Sequence, residues 1–125
     1  MENCSNYKEY TELNVWLKSR ELVNLIYQIT TNFPQNEAFG LIIQMRRCAV
    51  SIPSNIAEGC GRNHSKDTLQ FIYIARGSVY ELETQTYISF DQKYINEETL
   101  NIVLDLISVN KKLINGFINY FQKKI

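Results

Sequence analysis

Apolar residues recur at helical spacing in four stretches of the chain, and residues that start or stop helices bound each stretch. In the first stretch the apolar positions share one side of a helix: Val15, Leu22, Ile26 and Ile29. Asn14 is a suitable N-cap, and Phe33-Pro34 closes the stretch because a residue before proline is pushed out of the helical region. This pattern predicts a helix over about residues 14–31.

The second stretch predicts a helix over about residues 36–59, although a proline lies inside it. Its apolar positions again share one face: Ala38, Leu41, Met45, Ala49, Ile52 and Ile56. Helical spacing continues on both sides of Pro53, which predicts a bend rather than an end. We expect Ser51 and Ser54 to satisfy backbone groups that the proline frees, and Gly59 with Gly61 to stop the helix.

Two further helices are predicted over about residues 65–92 and 96–124. Ser65 and Asn96 are placed as N-caps, and acidic residues follow each of them in the first turn, where the helix dipole favours negative charge. Four amphipathic helices on short connections predict one all-α domain over residues 1–125. The expected architecture is an antiparallel up-down-up-down four-helix bundle.

Two patterns of apolar residues, one on the fourth helix and one on the third, predict that this bundle forms a homo-oligomer. Apolar residues of the fourth helix spread over about 200° of arc, whereas one core-facing stripe needs little over 100°. On the third helix, tyrosines recur every seven residues up to Tyr94, and such a spacing keeps one flank facing a neighbouring helix. The candidate interface residues are Tyr73, Tyr80, Tyr87, Leu106, Leu113 and Phe117. The alternatives are a deeply buried fourth helix in a monomer and a tyrosine ladder that stacks nucleic-acid bases.

Charge is balanced, with 13 basic and 13 acidic residues, so no bulk positive field attracts nucleic acid. A local patch remains possible around the second helix and the loop after it. Its candidate residues are Arg46, Arg47, Arg62, Lys66 and Arg76. The alternative is that Arg47 forms an ion pair with Glu58, or that Arg46 and Arg47 pair with Glu81 or Glu83 of the third helix. A P-loop is excluded because no lysine and Ser/Thr pair directly follows the last glycine.

Little in the sequence indicates an enzyme, a metal site or a cofactor. Three cysteines, Cys4, Cys48 and Cys60, form no disulfide framework, which is typical of reduced thiols in the cytoplasm. Cys60 and His64 lie four apart, but no second pair completes a tetrahedral zinc site. A thiol site made of Glu58, Cys60 and His64 is the one enzymatic alternative. No apolar run is long enough to span a membrane.

Three segments together resemble a known family: LNVWLKSREL, then FPQNEAFGLIIQMRRCAVSIPSNIAEGCGR, then FIYIARGSVYELETQ. They resemble the small bacterial four-helix bundle proteins named after the intervening sequences of 23S ribosomal RNA genes. A related branch is the accessory variability protein of diversity-generating retroelements. The resemblance implies a subunit of a homopentameric, barrel-like ring without known catalytic residues. In the retroelement branch a strongly basic surface binds nucleic acid and a reverse transcriptase, whereas this chain has no net charge.

The predicted function is that of a non-enzymatic oligomeric scaffold in the cytoplasm. Its expected partners are copies of itself and either RNA or DNA or a nucleic-acid-processing protein. No cofactor and no membrane contact are expected. The alternative is a structural ring, or one that holds a small ligand, with no role in nucleic-acid binding.

Overall fold

Residues 9–125 are the part of the chain that the structure, a computed structural model, describes, and they form four α-helices. The helices are α1 (Asn14–Thr30), α2 (Leu41–Cys60), α3 (Ser65–Asp91) and α4 (Glu97–Gln122). Short 3-10 helices at Tyr10–Glu12 and Gln35–Glu37 precede α1 and α2. The predicted all-α, four-helix fold is therefore confirmed. Cys4 lies outside the described residues.

Each helix packs against the next one, and α1 also packs against α4. The apolar stripes predicted from the sequence meet inside, where Leu22, Ile52, Leu82 and Ile107 are fully buried, one from each helix. Burial of each such side chain contributes roughly 1.5–3 kcal/mol. None of the helices in residues 9–125 is both long and apolar enough to cross a lipid bilayer.

Helices α1 and α3 begin at the predicted residues and α4 within one residue of its prediction, but of the three predicted N-caps only Asn96 is in place. Asn96 caps α4 through its Oδ1, which accepts a 2.8 Å hydrogen bond from the Thr99 backbone N–H. The predicted caps Asn14 and Ser65 instead lie inside the first turns of α1 and α3, after the extended residues Leu13 and His64. Leu13 is fully buried, so apolar packing rather than a polar side chain fixes the start of α1.

The second helix begins at Leu41, about one turn later than predicted, because the chain first forms the 3-10 turn Gln35–Glu37 and passes Gly40. Glu37 folds back over Gly40, and its Oε1 accepts a 3.2 Å hydrogen bond from the Leu41 N–H. A carboxylate there satisfies an otherwise unpaired donor and complements the positive end of the helix dipole. Apolar spacing alone does not reveal this interruption, since Ala38 falls on the same face.

Alpha-helical structure continues through Pro53, as predicted, but Ser51 has another role. The Ser51 hydroxyl lies 2.6 Å from the Ser78 hydroxyl of α3, so it bridges two helices rather than serving the proline turn. Gly59, still inside α2, lets α3 approach closely: a Cβ there would lie 3.1 Å from the Thr68 carbonyl oxygen. The helix stops at Gly61.

The connection from α3 to α4 ends α3 in a Schellman turn. The Tyr94 N–H bonds to the Ser89 carbonyl and the Lys93 N–H to the Phe90 carbonyl, both at 2.9 Å. Lys93 has a positive φ of 66°, the left-handed conformation that glycine usually supplies. Tyr94 therefore lies beyond the helix, and the predicted tyrosine heptad does not extend to it.

Candidate functional surface

Arg46 and Arg47, the first two candidate basic residues, lie side by side on α2 at the wall of an open groove. The groove has a volume of ≈ 530 Å³ and is lined by Tyr27, Ala38, Ile42, Ile43, Arg46, Arg47, Val50 and Ser51. Tyr27 of α1 closes one side, and the remaining walls come from α2 and the residues just before it. No acidic side chain is among the lining residues.

Arg46 is held in place by α1. Its Nε donates to the Thr30 hydroxyl at 2.9 Å and one Nη donates to the Tyr27 carbonyl at 3.3 Å. The guanidinium carbon also lies 4.6 Å from the centre of the Tyr27 ring. Thr30 and Tyr27 are neutral, so the positive charge of Arg46 has no carboxylate within ion-pair distance among residues 9–125.

Arg47 is exposed and makes no ion pair or hydrogen bond within residues 9–125. It also borders a shallow depression between α2 and α3, to which Glu81 contributes. Within residues 9–125 neither arginine forms an ion pair, so the alternatives that pair Arg47 with Glu58, or Arg46 and Arg47 with Glu81 or Glu83, are wrong. Glu83 instead binds Lys111 of α4 at 2.7 Å.

Arg62 and Lys66 lie at the other end of α2, in and just after the turn to α3. Arg62 reaches Glu58 at 3.4 Å, in place of the Arg47 partner that the sequence suggested for Glu58, and its guanidinium stacks on the Phe71 ring at 4.6 Å. Lys66 is exposed in the first turn of α3. At 1.5 Å per helical residue, this turn is about 20 Å from Arg46 and Arg47.

Arg76 contacts other residues of the bundle. It donates a 3.2 Å hydrogen bond to the Asn115 side-chain oxygen of α4 and stacks on Tyr73 at 5.3 Å. The five candidate basic residues therefore do not form one patch. Arg46 and Arg47 form a pair on one surface, Arg62 and Lys66 lie at the far turn, and Arg76 faces α4.

The candidate interface residues fall on two sides of α4. Tyr73 and Tyr80 belong to α3 and contact α4. Gln122 of α4 donates a 2.9 Å hydrogen bond to the Tyr73 hydroxyl, and the Lys111 ammonium of α4 lies 4.5 Å from the Tyr80 ring centre. Leu113 is two residues from Lys111, which is a rotation of about 200° along a helix, so it lies on nearly the opposite side. Leu106, seven residues earlier, shares the side of Leu113.

Burial separates these candidates further. Tyr80 and Tyr87 are about half exposed, whereas Leu106 and Leu113 are partly buried. Phe117 is only 1% exposed, because it belongs to the core of the chain itself, so we remove it from the candidate interface. Ile102 and Val109, which the candidate set did not include, are 50% and 39% exposed on α4.

The thiols and the histidine form no evident reactive centre in residues 9–125. Burial raises the pKa of the Cys48 thiol to about 12, and the negative charge of Glu81 adds to the effect. Cys60 and His64 both line a cavity of ≈ 270 Å³ at the α2–α3 turn, but Glu58 is turned to Arg62. No group of three potential metal ligands occurs among the described residues.

Sequence reasoning missed Phe39, an exposed aromatic residue that follows a lining residue of the groove. Phe39, next to the lining residue Ala38, is 94% exposed, the highest value among the large apolar side chains of residues 9–125. One signal was available: Phe39 falls between Pro34 and Gly40, on no buried stripe, where an aromatic residue has no local structural reason.

Four amphipathic helices around one shared core define the chain as a four-helix bundle protein. The sequence model of the 23S rRNA-intervening sequence protein family matches residues 11–116, and the chain belongs to that family. A crystal structure from Bacteroides thetaiotaomicron, of a protein with unknown function from the S23 ribosomal protein family, has a TM-score of 0.75 to this chain. It is 24% identical and covers 83% of this chain and 97% of its own, which supports the fold alone. No curated protein matches the chain.

Proposed function

We propose that this chain is the subunit of a non-enzymatic, cytoplasmic scaffold, a homopentameric ring of antiparallel up-down-up-down bundles. The ring binds a macromolecular partner, either RNA or DNA or a protein that processes nucleic acid. The observation that carries the proposal is the set of half-exposed apolar side chains on α3 and α4. They are Ile74, Tyr80, Tyr87, Ile88, Ile102 and Val109, each between 39% and 53% exposed.

Contacts along the helices support the antiparallel arrangement. Residues early in α2 meet residues late in α3, as in the 3.3 Å contact between the Met45 sulfur and the Ser89 hydroxyl. At the other end of α2, Gly59 accepts a 2.8 Å hydrogen bond from Thr68, early in α3. The same reversal relates α3 to α4.

The positions of the exposed side chains support a ring rather than a two-fold dimer. A ring is closed by head-to-tail contacts, which need two different surfaces on every subunit. Tyr80, 49% exposed, lies where α3 meets α4. Val109, 39% exposed and two residues before Lys111, lies on nearly the opposite side of α4. The two sides of α4 therefore supply two separate apolar surfaces. Burial of exposed apolar area between subunits is the driving force.

Native mass spectrometry of protein purified at low salt without nuclease tests this function. We expect five times the mass of the 14.6 kDa chain, and a nuclease-sensitive addition if the partner is RNA or DNA. Val109→Glu is expected to dissociate the assembly, whereas Ser108→Glu, the same charge at the exposed neighbouring position, is the matched control. A monomeric mass at micromolar concentration contradicts the proposal.

A further inference from the structure

We propose that the groove on the outer face of α2 is a docking site for a protein segment in which an acidic side chain lies beside bulky apolar ones. This inference rests on the proposed scaffold function and specifies its partner as a protein. The evidence comes from the charge of the groove, its lining residues and the exposed Phe39 next to one of them.

The groove carries two positive charges that the described chain leaves without an acidic partner. Three basic residues elsewhere do have one: Lys18 pairs with Glu21, Arg62 with Glu58 and Lys111 with Glu83. What distinguishes Arg46 and Arg47 from the other unpaired basic residues is that both line one groove with apolar walls. Arg46 and Arg47 form no such ion pair within residues 9–125, and no Asp or Glu lines the groove. A carboxylate from outside complements this site, because arginine forms paired, charge-assisted hydrogen bonds with carboxylates.

Arg46 is oriented before any partner arrives. Two of its N–H donors are fixed on Thr30 and on the Tyr27 carbonyl, and the Tyr27 ring supports its guanidinium plane. A fixed side chain loses little conformational entropy on binding, so more of the interaction energy is retained. Arg47 is exposed and makes no hydrogen bond or ion pair within residues 9–125, so its guanidinium is available to the same carboxylate.

The rest of the groove selects apolar side chains. Ala38, Ile42, Ile43 and Val50 line it together with Tyr27, and the 94% exposed Phe39 follows Ala38 directly. Large aromatic residues are enriched among the side chains that dominate binding energy at protein interfaces, where binding buries them. An amphipathic helix that lays its apolar face in a groove is a common occupant of this kind of surface.

These features favour a protein segment over nucleic acid. A bound strand needs a track of cations for successive phosphates and open aromatic faces for its bases. Here the two arginines are adjacent, no lysine lines the groove, and the guanidinium of Arg46 covers one face of the only aromatic lining residue, Tyr27. Aliphatic walls contribute nothing specific to base recognition.

Selection from a displayed library of random peptides of about 15 residues, a length that spans four helical turns, tests the inference on the full chain. We expect enriched peptides to carry Asp or Glu next to Leu, Ile, Phe or Trp. Fluorescence anisotropy with the enriched peptides then measures affinity. Arg47→Glu and Val50→Glu should each weaken binding by about tenfold or more, since one removes the charge pairing and the other the apolar contact.

Lys112→Glu is the matched control, because it reverses an exposed charge on α4 and should leave the affinity unchanged. Circular dichroism confirms that each variant is folded. The inference is overturned if no acidic–apolar peptide is enriched, or if Arg47→Glu and Lys112→Glu have equal effects. It is also overturned if mixed-sequence single-stranded RNA binds with the same dependence on Arg47, or if Arg47→Glu changes the oligomeric mass, because the groove then holds RNA or a second copy.

The mass of the assembly and the binding of the peptide are separate measurements. A monomeric chain that still binds acidic–apolar peptides through Arg47 contradicts the ring and leaves the groove assignment in place. A pentamer that binds no such peptide supports the ring and contradicts the groove assignment.

Discussion

The Tyr94 hydroxyl donates a 2.7 Å hydrogen bond to Oε2 of Glu37, although 57 residues separate the two positions. Tyr94 lies in the α3–α4 turn and Glu37 in the turn before α2, so the contact joins two connections at one end of the bundle. The rings of Phe33 and Tyr94 pack in the same place, with centres 5.2 Å apart. Since Glu37 also accepts the Leu41 N–H, one carboxylate both caps α2 and fixes the far turn.

Acid should weaken this contact. The hydrogen bond from Tyr94, and secondarily that from the Leu41 N–H, holds the pKa of Glu37 below its ordinary value of 4.5. A carboxyl with a lowered pKa in the folded state stabilises above its unfolded pKa, and this stabilisation is lost as pH falls through the folded pKa. We therefore expect the stability advantage of the natural chain over Glu37→Gln to shrink below about pH 4.5. Urea unfolding from pH 3 to 7 measures it.

Tyr94, the partner of Glu37, makes the stability of the fold depend on pH in the alkaline range as well. The hydrogen bond to Glu37 raises the pKa of Tyr94 above its ordinary value of 10.0, so its stabilising effect is present below pH 10 and lost as the tyrosine ionises in the folded chain. Tyr94→Phe should abolish the alkaline pH dependence and reduce the acid-side one, because the Leu41 N–H still bonds to Glu37. A Tyr94→Phe chain that keeps the full acid-side loss contradicts the proposed linkage.

Lys93→Gly should stabilise the chain by about 0.5–1 kcal/mol, because glycine adopts the left-handed conformation of this turn without the steric cost of a Cβ. Thermal unfolding followed by circular dichroism measures the change. Lys93→Ala, which removes the charge but keeps the Cβ, is the control and should bring no comparable gain. Equal stabilisation by both substitutions assigns the effect to charge instead.

Gly59→Ala should destabilise the chain by about 1–3 kcal/mol, the usual cost of overpacking. The added Cβ would lie 3.1 Å from the Thr68 carbonyl oxygen and 3.2 Å from side-chain carbons of Phe71 and Ile72, so α3 must move away from α2. Urea unfolding gives the free energy. An unchanged free energy of unfolding means that α3 can move away from α2 without loss of stability.

Gly77→Ala is expected to have the opposite sign. This exposed glycine is in the middle of α3, and a Cβ there would meet nothing within 4 Å in the described chain. Alanine in a helix interior is more stable than glycine by roughly 0.5–1 kcal/mol. The measurement is best made in the Val109→Glu background, where subunit contacts do not contribute. Destabilisation there contradicts the open environment of Gly77.

Cys48 should resist alkylation in the folded chain. Its pKa of about 12 leaves almost no thiolate at pH 8, and its sulfur donates a hydrogen bond to the Ser78 carbonyl at 3.0 Å. Iodoacetamide labelling with peptide mapping should therefore modify Cys48 far more slowly in buffer than in urea. Equal rates in the two conditions mean that the thiol is not protected by the fold.

Helix positions could be predicted from the sequence because the signals are local. The recurrence of apolar residues three and four apart identifies the buried face of α2, and Met45, Ala49, Ile52 and Ile56 are all fully buried. The Asn96 cap was also predictable, since its partner is only three residues away. The start of α2 was not predictable in this way: it lies at Leu41, five residues after the predicted start, where Glu37 both caps the helix and is held by the distant Tyr94.

Residue types and helix periodicity alone identified the basic and apolar candidates of this protein, but not their surroundings. Arg46, Arg62 and Arg76 look alike in the sequence, yet one supports an open groove, one pairs with Glu58 and one binds Asn115 of α4. Tyr94 continues a heptad in the sequence and leaves the helix in the structure. Periodicity is a property of neighbours along one helix, whereas the availability of a charge or ring depends on which helices the bundle brings beside it. The sequence thus determined the four helices and their buried faces, and tertiary packing decided which side chains remain to meet a partner.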